Sequence, residues 1–135
     1  MTELSVSTMR RIEALDVTDV IQSNAPAEGF VWLSVPHTTC ALILCEADDD
    51  MLRDIEQVAE GLFSPFEPFK HRKNNNPNAA AHLFAAVAGT QLVLPVLDGQ
   101  FGLGTHQRLI LVELDGPRDR TFQMAALAPN TAKGG

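Results

Sequence analysis

Leu92 to Arg118, LVLPVLDGQFGLGTHQRLILVELDGPR, decides how this chain folds. Asp98-Gly99 lies between two runs with alternating apolar residues. The tightest hairpin turns need positive φ at both central residues, which Asp tolerates and Gly adopts freely. Leu92, Leu94 and Val96 then share one strand face, and Phe101 and Leu103 continue the sheet on the return strand. Gly104-Thr105-His106-Gln107 breaks the pattern with one flexible and three polar residues. Leu109 to Leu114 resumes as a strand, and Asp115-Gly116-Pro117 closes it with another turn. The simplest arrangement is a three-stranded meander with a kinked middle, although such a polar break also suits a binding site built on a sheet.

Working outward, Leu4 to Met9 alternates as an opening strand, and Arg11 to Leu15 is expected to pair with it. Asp16 or Thr18 can cap a short helix carrying Val17, Val20, Ile21 and Ala25, which Pro26 and Gly29 end. Phe30 to Val35, with Trp32 in its middle, reads as a strand buried on both sides. Pro36-His37-Thr38 is the turn into a second buried strand, Thr39 to Cys45. Asp48-Asp49-Asp50 favours a helix start, because acids face the positive end of the helix dipole. Met51, Leu52, Ile55, Val58, Ala59 and Leu62 form its apolar stripe.

Ser64 to Pro77 is a long, proline-punctuated loop, a length usually reserved for functional or disordered segments. Asn78 can cap a second helix to about Ala88, with Gly89 ending it. Thr121 to Leu127 is the last strand, and residues 129–135 read as a loose tail. No repeat or linker divides the chain, so residues 1–135 are expected to be one domain. Strands outnumber helices and the hairpins are closely spaced, which gives an α+β class with antiparallel pairing.

A chain of 135 residues with 45% apolar content can support one core. Its net charge of -7 argues against a nucleic-acid partner, since no basic stripe exists to displace counterions. A local positive pocket for a small phosphate is still compatible with that balance. No export signal or membrane-spanning apolar run is visible, so a soluble, cytoplasmic protein without a membrane partner is expected. Cys40 and Cys45 fall on opposite faces of one strand, so free thiols in a reducing compartment are expected. There is no tyrosine, hence no phenol for acid–base work.

Of the four histidines, His37 ends a strand, His71 lies in the long loop and His82 sits in the first turns of a helix. Side chains at such boundaries can converge, and three imidazoles plus a water is a zinc arrangement. Isolated surface histidines are the ordinary alternative. Glu46 follows a buried strand, where it is a solvated turn carboxylate, a pocket base or a partner orienting a histidine. Thr38, Thr39, Thr105 and Gln107, with backbone amides near Gly104, suit a phosphate or another polar small molecule. Arg118 could reach such a phosphate, while Asn78 reads as a helix cap.

The leucine- and proline-containing strand, the Asp98-Gly99 turn, Gly102-Leu103-Gly104-Thr105, Gln107 and Glu113-Leu114-Asp115-Gly116-Pro117-Arg118 occur here in that order. Upstream stand His37-Thr38-Thr39, Glu46, Asn78 and Ala81-His82-Leu83. This ordered set resembles the YjbQ-like family, long described as uncharacterised, some of whose members are credited with a secondary thiamine-phosphate synthase activity. The resemblance implies two packed, mainly antiparallel sheets with two to three helices outside, assembled as a homotrimer. It implies a shared pocket in which His37, Glu46 and His82 are catalytic and Thr38, Thr39, Gly104, Thr105 and Gln107 bind ligand. It also implies a divalent metal, zinc or magnesium, on His37, His71 and His82, and a small phosphorylated substrate.

Several positions depart from that family pattern. His106 stands where tryptophan is usual, and Arg108 where glycine is. Cys45 and Ala47 flank Glu46 in place of two asparagines, the usual Asp-Pro pair is absorbed into the acidic run, and Arg72 replaces an acid after His71. These changes leave the scaffold intact and bear on the substrate.

Overall fold

Asp98 and Gly99 take φ values of 54° and 73°, the pair of positive angles that matches the twist of strands joined by a two-residue turn. The computed structural model describes residues 1–72 and 77–127. The turn joins β5 (Gln91–Leu97) to the short β6 (Gln100–Phe101), in antiparallel register with Val96 opposite Phe101. Beyond Phe101 the expected meander does not form, because β7 (Arg108–Glu113) crosses into a second sheet. Leu109, Ile110, Leu111 and Val112 are all fully buried. A strand apolar on both faces needs cover on both faces, which a place in the middle layer supplies.

The larger sheet has five strands in the order β1-β8-β3-β5-β6, where β1 is Thr2–Ser7, β3 is Glu28–Ser34 and β8 is Asp119–Leu127. The smaller has the order β2-β7-β4, with β2 at Glu13–Asp16 and β4 at Cys40–Cys45. All the pairings are antiparallel. The second strand therefore pairs with β7 and not, as expected, with β1, whose partner is β8. The reason is again two-sided burial, since Leu15 packs on one side of the smaller sheet and Ala14 on the other.

The smaller sheet is the middle of three layers. Leu109 and Leu111 meet Val31, Leu33, Leu94, Val96, Phe122 and Met124 of the larger sheet. Ile110 and Val112 meet Ile55 and Ala59 of α2 (Asp49–Gly61) and Ala81, Phe84 and Ala85 of α3 (Ala79–Ala88). The short α1 (Thr18–Gln22) contributes Ile21 to the inter-sheet core. Asp48 caps α2, accepting from the Met51 amide at 2.7 Å, as its acidic start implies. Asn78 precedes α3 but makes no side-chain cap.

Helices α2 and α3 pack on the smaller sheet, and among the described residues no element covers the outer face of the larger sheet. Phe30 is 52% exposed and Trp32 half-buried, while Val31 and Leu33, which alternate with them, are fully buried. The strand through Trp32 is thus buried on one face, not two. The 64–77 segment begins with a 3-10 turn, Ser64–Phe66. Its residues 73–76 lie outside the described residues, as does the 129–135 tail. Both cysteines are free, and burial pushes the Cys40 thiol up to about 11. Among the described residues no helix is long and apolar enough to cross a membrane.

Candidate functional site

The ladder between β3 and β8 ends at Ser34 opposite Gln123. Pro36, which has no amide hydrogen, follows, and the chain turns away towards β4. On that abandoned edge of β8, the Thr121 amide donates to Nε2 of His37 at 2.9 Å. The imidazole therefore takes over a ladder position and is fixed by it. Burial, together with the nearby Arg120 guanidinium, holds the His37 pKa below its ordinary value.

Beneath His37 lies a fully buried ion pair between Glu113 of β7 and Arg120 of β8. Arg120 donates through Nε to Glu113 Oε1 at 2.8 Å. Its terminal nitrogen reaches Glu113 Oε2, and also the carbonyl and hydroxyl of Thr39 at 2.9 Å each. The Thr8 hydroxyl donates to Glu113 at 2.8 Å, and the amides of Leu114 and Asp115 donate at 3.0 Å. Burial works against the Glu113 charge, yet Arg120, the Asp115 amide and Thr8 outweigh it and leave the carboxyl below its ordinary pKa. Among the described residues no buried side-chain polar atom lacks a partner.

His82, from the first turns of α3, packs edge-on against His71, with ring centroids 5.0 Å apart and planes at 89°. It also stands in the wall between two depressions. One, about 360 Å³, is lined by His37, Thr38, His82, Ala85, Ala86, Gly89 and Thr90. The other, about 300 Å³ and more apolar, is lined by Phe69, Lys70, His71, Ala79, His82 and Leu83. The structure thus gathers His37, Thr38, His71 and His82 at one end of the fold. Among the described residues, however, no three or more His, Cys, Asp or Glu side chains are grouped to hold a metal ion. Among the described residues His37, His71 and His82 are therefore not grouped as a three-histidine zinc site.

Other expected site residues lie elsewhere. Thr39 is buried and serves Arg120. Glu46 is exposed beyond the far end of β4, whose six residues rise about 20 Å from the His37 end. Gly104, Thr105 and Gln107 precede β7 at that same far end, since Arg108 is the register partner of Cys45. There the Gly104 amide donates to Gln107 Oε1 at 2.8 Å, so the loop satisfies itself. Arg108 ties it to the end of β2 through Asp16 at 2.8 Å and to α1 through Asp19 at 3.1 Å. Asn78 donates to Asp115 at 3.0 Å, and Arg118 reaches the same carboxylate at 3.3 Å.

Sequence reasoning missed Glu113 and Arg120 as a pair. The signal was available. A glutamate closing an otherwise apolar strand, and an arginine on the same alternation as Phe122 and Met124, are two inward charges that need each other.

The family model described as "UPF0047 protein YjbQ-like" matches residues 2–128. A UPF0047 protein of Archaeoglobus fulgidus is 38% identical over 93% of this chain and 99% of its own length. One from Methanothermobacter thermautotrophicus is 34% identical over 91% and 88%. Among solved structures, a hypothetical protein of Aeropyrum pernix K1 superposes with a TM-score of 0.84 at 36% identity, covering 95% of this chain and 98% of that one. A YjbQ/UPF0047 protein of Clostridium acetobutylicum gives 0.81 at 28% identity, over 94% and 100%. The chain belongs to the UPF0047 YjbQ-like family.

Proposed function

We propose that this chain binds a small phosphorylated molecule in the His37–His82 cavity and has a thiamine-phosphate synthase-like side activity. The reaction joins a thiazole phosphate to a pyrimidine diphosphate and expels pyrophosphate. The supporting observation is the cavity wall itself, two imidazoles and the Thr38 hydroxyl, with Arg118 and Arg120 close enough to act on the charge of His37. Cations and hydrogen-bond donors placed where the departing pyrophosphate gains charge lower the barrier to its leaving. Among the described residues of the single chain the donor set does not fit the expected metal. Among the described residues lining the cavity, His82 is a group able to exchange a proton with a ligand there. Complementation of a thiamine-requiring host should succeed with the wild type and drop about 100-fold with His82→Ala. Equal rescue by both would remove His82 from the mechanism.

The same reading includes a homotrimer. Phe30, Val93, Leu97 and Leu127 are all more than 40% exposed, and register places them with Trp32 and Pro95 on one outer sheet face. A second copy covering that face would remove the apolar surface from water. A closed ring of head-to-tail copies could also bring a neighbour's far end, with Glu46, to the His37 cavity. Light scattering should give three times the chain mass, and a stable monomer at micromolar concentration would reject the assembly.

One observation favours a non-catalytic, phosphate-binding homotrimer instead; its metal-binding form would need donors from a neighbouring copy. The residues lining the cavity include no carboxylate to act as base, because Glu46 stands at the other end of β4. Such a module would be stabilised against heat by its ligand while turning nothing over.

A further inference from the structure

The way His37 is held determines what it can offer a ligand. Nε2 accepts the Thr121 amide hydrogen at 2.9 Å, so it carries no proton and its lone pair is occupied. The ring's proton then belongs to Nδ1. Nδ1 has no partner among the described residues, and no buried polar atom there is left unsatisfied. Nδ1 therefore reaches open space, and His37 lines the cavity shared with Thr38 and His82.

We propose that His37 is a fixed hydrogen-bond donor, presenting Nδ1–H to an oxyanion bound between Thr38 and His82, rather than a lone pair to a metal. The proposal rests on the phosphate-site reading above and assigns its anchoring atom. Releasing Nε2 to a metal would strip the β8 edge of its acceptor, leaving the Thr121 amide unpaired in a half-buried position. Binding a metal through Nδ1 would first expel the proton. The charged groups acting on the ring are Glu113 of β7, Arg118 of the turn that follows it and Arg120 of β8. Glu113 is paired with Arg120 and Arg118 with Asp115, so among the described residues the surroundings of the ring offer no unpaired negative charge to hold a cation.

Two substitutions separate the ring's two nitrogens. In His37→Gln the side-chain oxygen can occupy the Nε2 position and accept from Thr121, but no donor replaces Nδ1–H. In His37→Asn a donor can sit near Nδ1, and the acceptor is lost. Nitrogen-15 NMR of histidine-labelled protein, with inorganic phosphate and pyrophosphate as probes and Zn²⁺ as competitor, reads the outcome. The expected result is an Nδ1–H tautomer whose resonance moves with phosphate but not with zinc. His37→Gln should then keep its melting temperature and bind phosphate about tenfold or more weakly. His37→Asn should melt lower and bind better than His37→Gln.

An Nε2–H tautomer, or zinc displacing the Nδ1 proton, overturns the proposal, and this measurement needs no variant to fold. If His37→Gln binds phosphate as tightly as the wild type, the donor role falls while the phosphate site stands. If the wild type responds to neither anion, both fall together.

Discussion

Arg120→Met is expected to lower the unfolding free energy by about 3–5 kcal/mol, measured by urea or thermal denaturation at pH 7. Glu113 is fully buried, and its partner guanidinium supplies two of its hydrogen bonds. Methionine fills much of the arginine's volume, so packing loss alone is small. The cost comes from the carboxylate left without compensation, and from the Thr39 carbonyl and hydroxyl that lose their donor. Substituting Glu113 as well, as Glu113→Leu with Arg120→Met, should recover part of the loss. Recovery should be incomplete, because Thr8 and the amides of Leu114 and Asp115 then lose their acceptor. A loss below about 1 kcal/mol for Arg120→Met would show that the pair is not closed as described.

The pH dependence has a definite sign. Glu113 is held below its ordinary value in the fold, so the unfolded chain binds a proton there before the folded one does. Its contribution is complete above about pH 4.3, and it is lost as pH falls through the folded value. His37 acts in the same direction at higher pH. Held below its ordinary value by burial and Arg120, it favours the fold less as pH drops below about 6.5. Arg120→Met removes the main charge partner of Glu113, so the acid-side loss expected of the wild type should be much weaker in the variant.

The parts of this fold legible from sequence were those fixed by local chemistry. Asp98-Gly99 demanded its turn, Asp48 capped α2, and alternation put Leu94 and Val96 inward. Sheet membership was not legible, because pairing of β7 with β2 and β4 depends on which layer covers Leu109 to Val112. A continuous apolar run says that both faces need cover, without saying by what. The site was legible to the same extent. His37, Thr38, His71 and His82 do share one end of the molecule. Glu46 does not, because it and His37 bracket the same strand, and a strand separates its ends by its length. The Thr121 amide that fixes His37 could not be foreseen either, since it comes from a strand 84 positions away.

Gly116→Ala is the second substitution with a large expected effect, about 3 kcal/mol or more. Asp115-Gly116-Pro117 has the composition of a turn, in which glycine usually supplies positive φ. Gly116 is not among the positive-φ glycines, which are Gly29, Gly89 and Gly99. Space is what it provides. A methyl group there would collide with the Arg10 carbonyl and lie 2.8 Å from both Glu113 Cγ and the Thr8 hydroxyl. The Arg10 oxygen belongs to the backbone, and the Gly116 amide is itself bonded to the Arg11 carbonyl at 3.0 Å, so neither chain can swing aside cheaply. The side chains must yield, and Thr8 holds both Glu113 and the Arg118 amide. Overpacking costs about 1–3 kcal/mol, and a lost hydrogen bond to a buried charge about 1.5–3 more. Because Glu113 positions Arg120, and Arg120 holds Thr39, the disturbance should reach the His37 cavity. The variant should therefore show faster hydrogen exchange at Thr121 as well as a lower melting temperature. Wild-type stability with unchanged Thr121 protection would mean that the Arg10 and Gly116 backbones do not approach as closely as described.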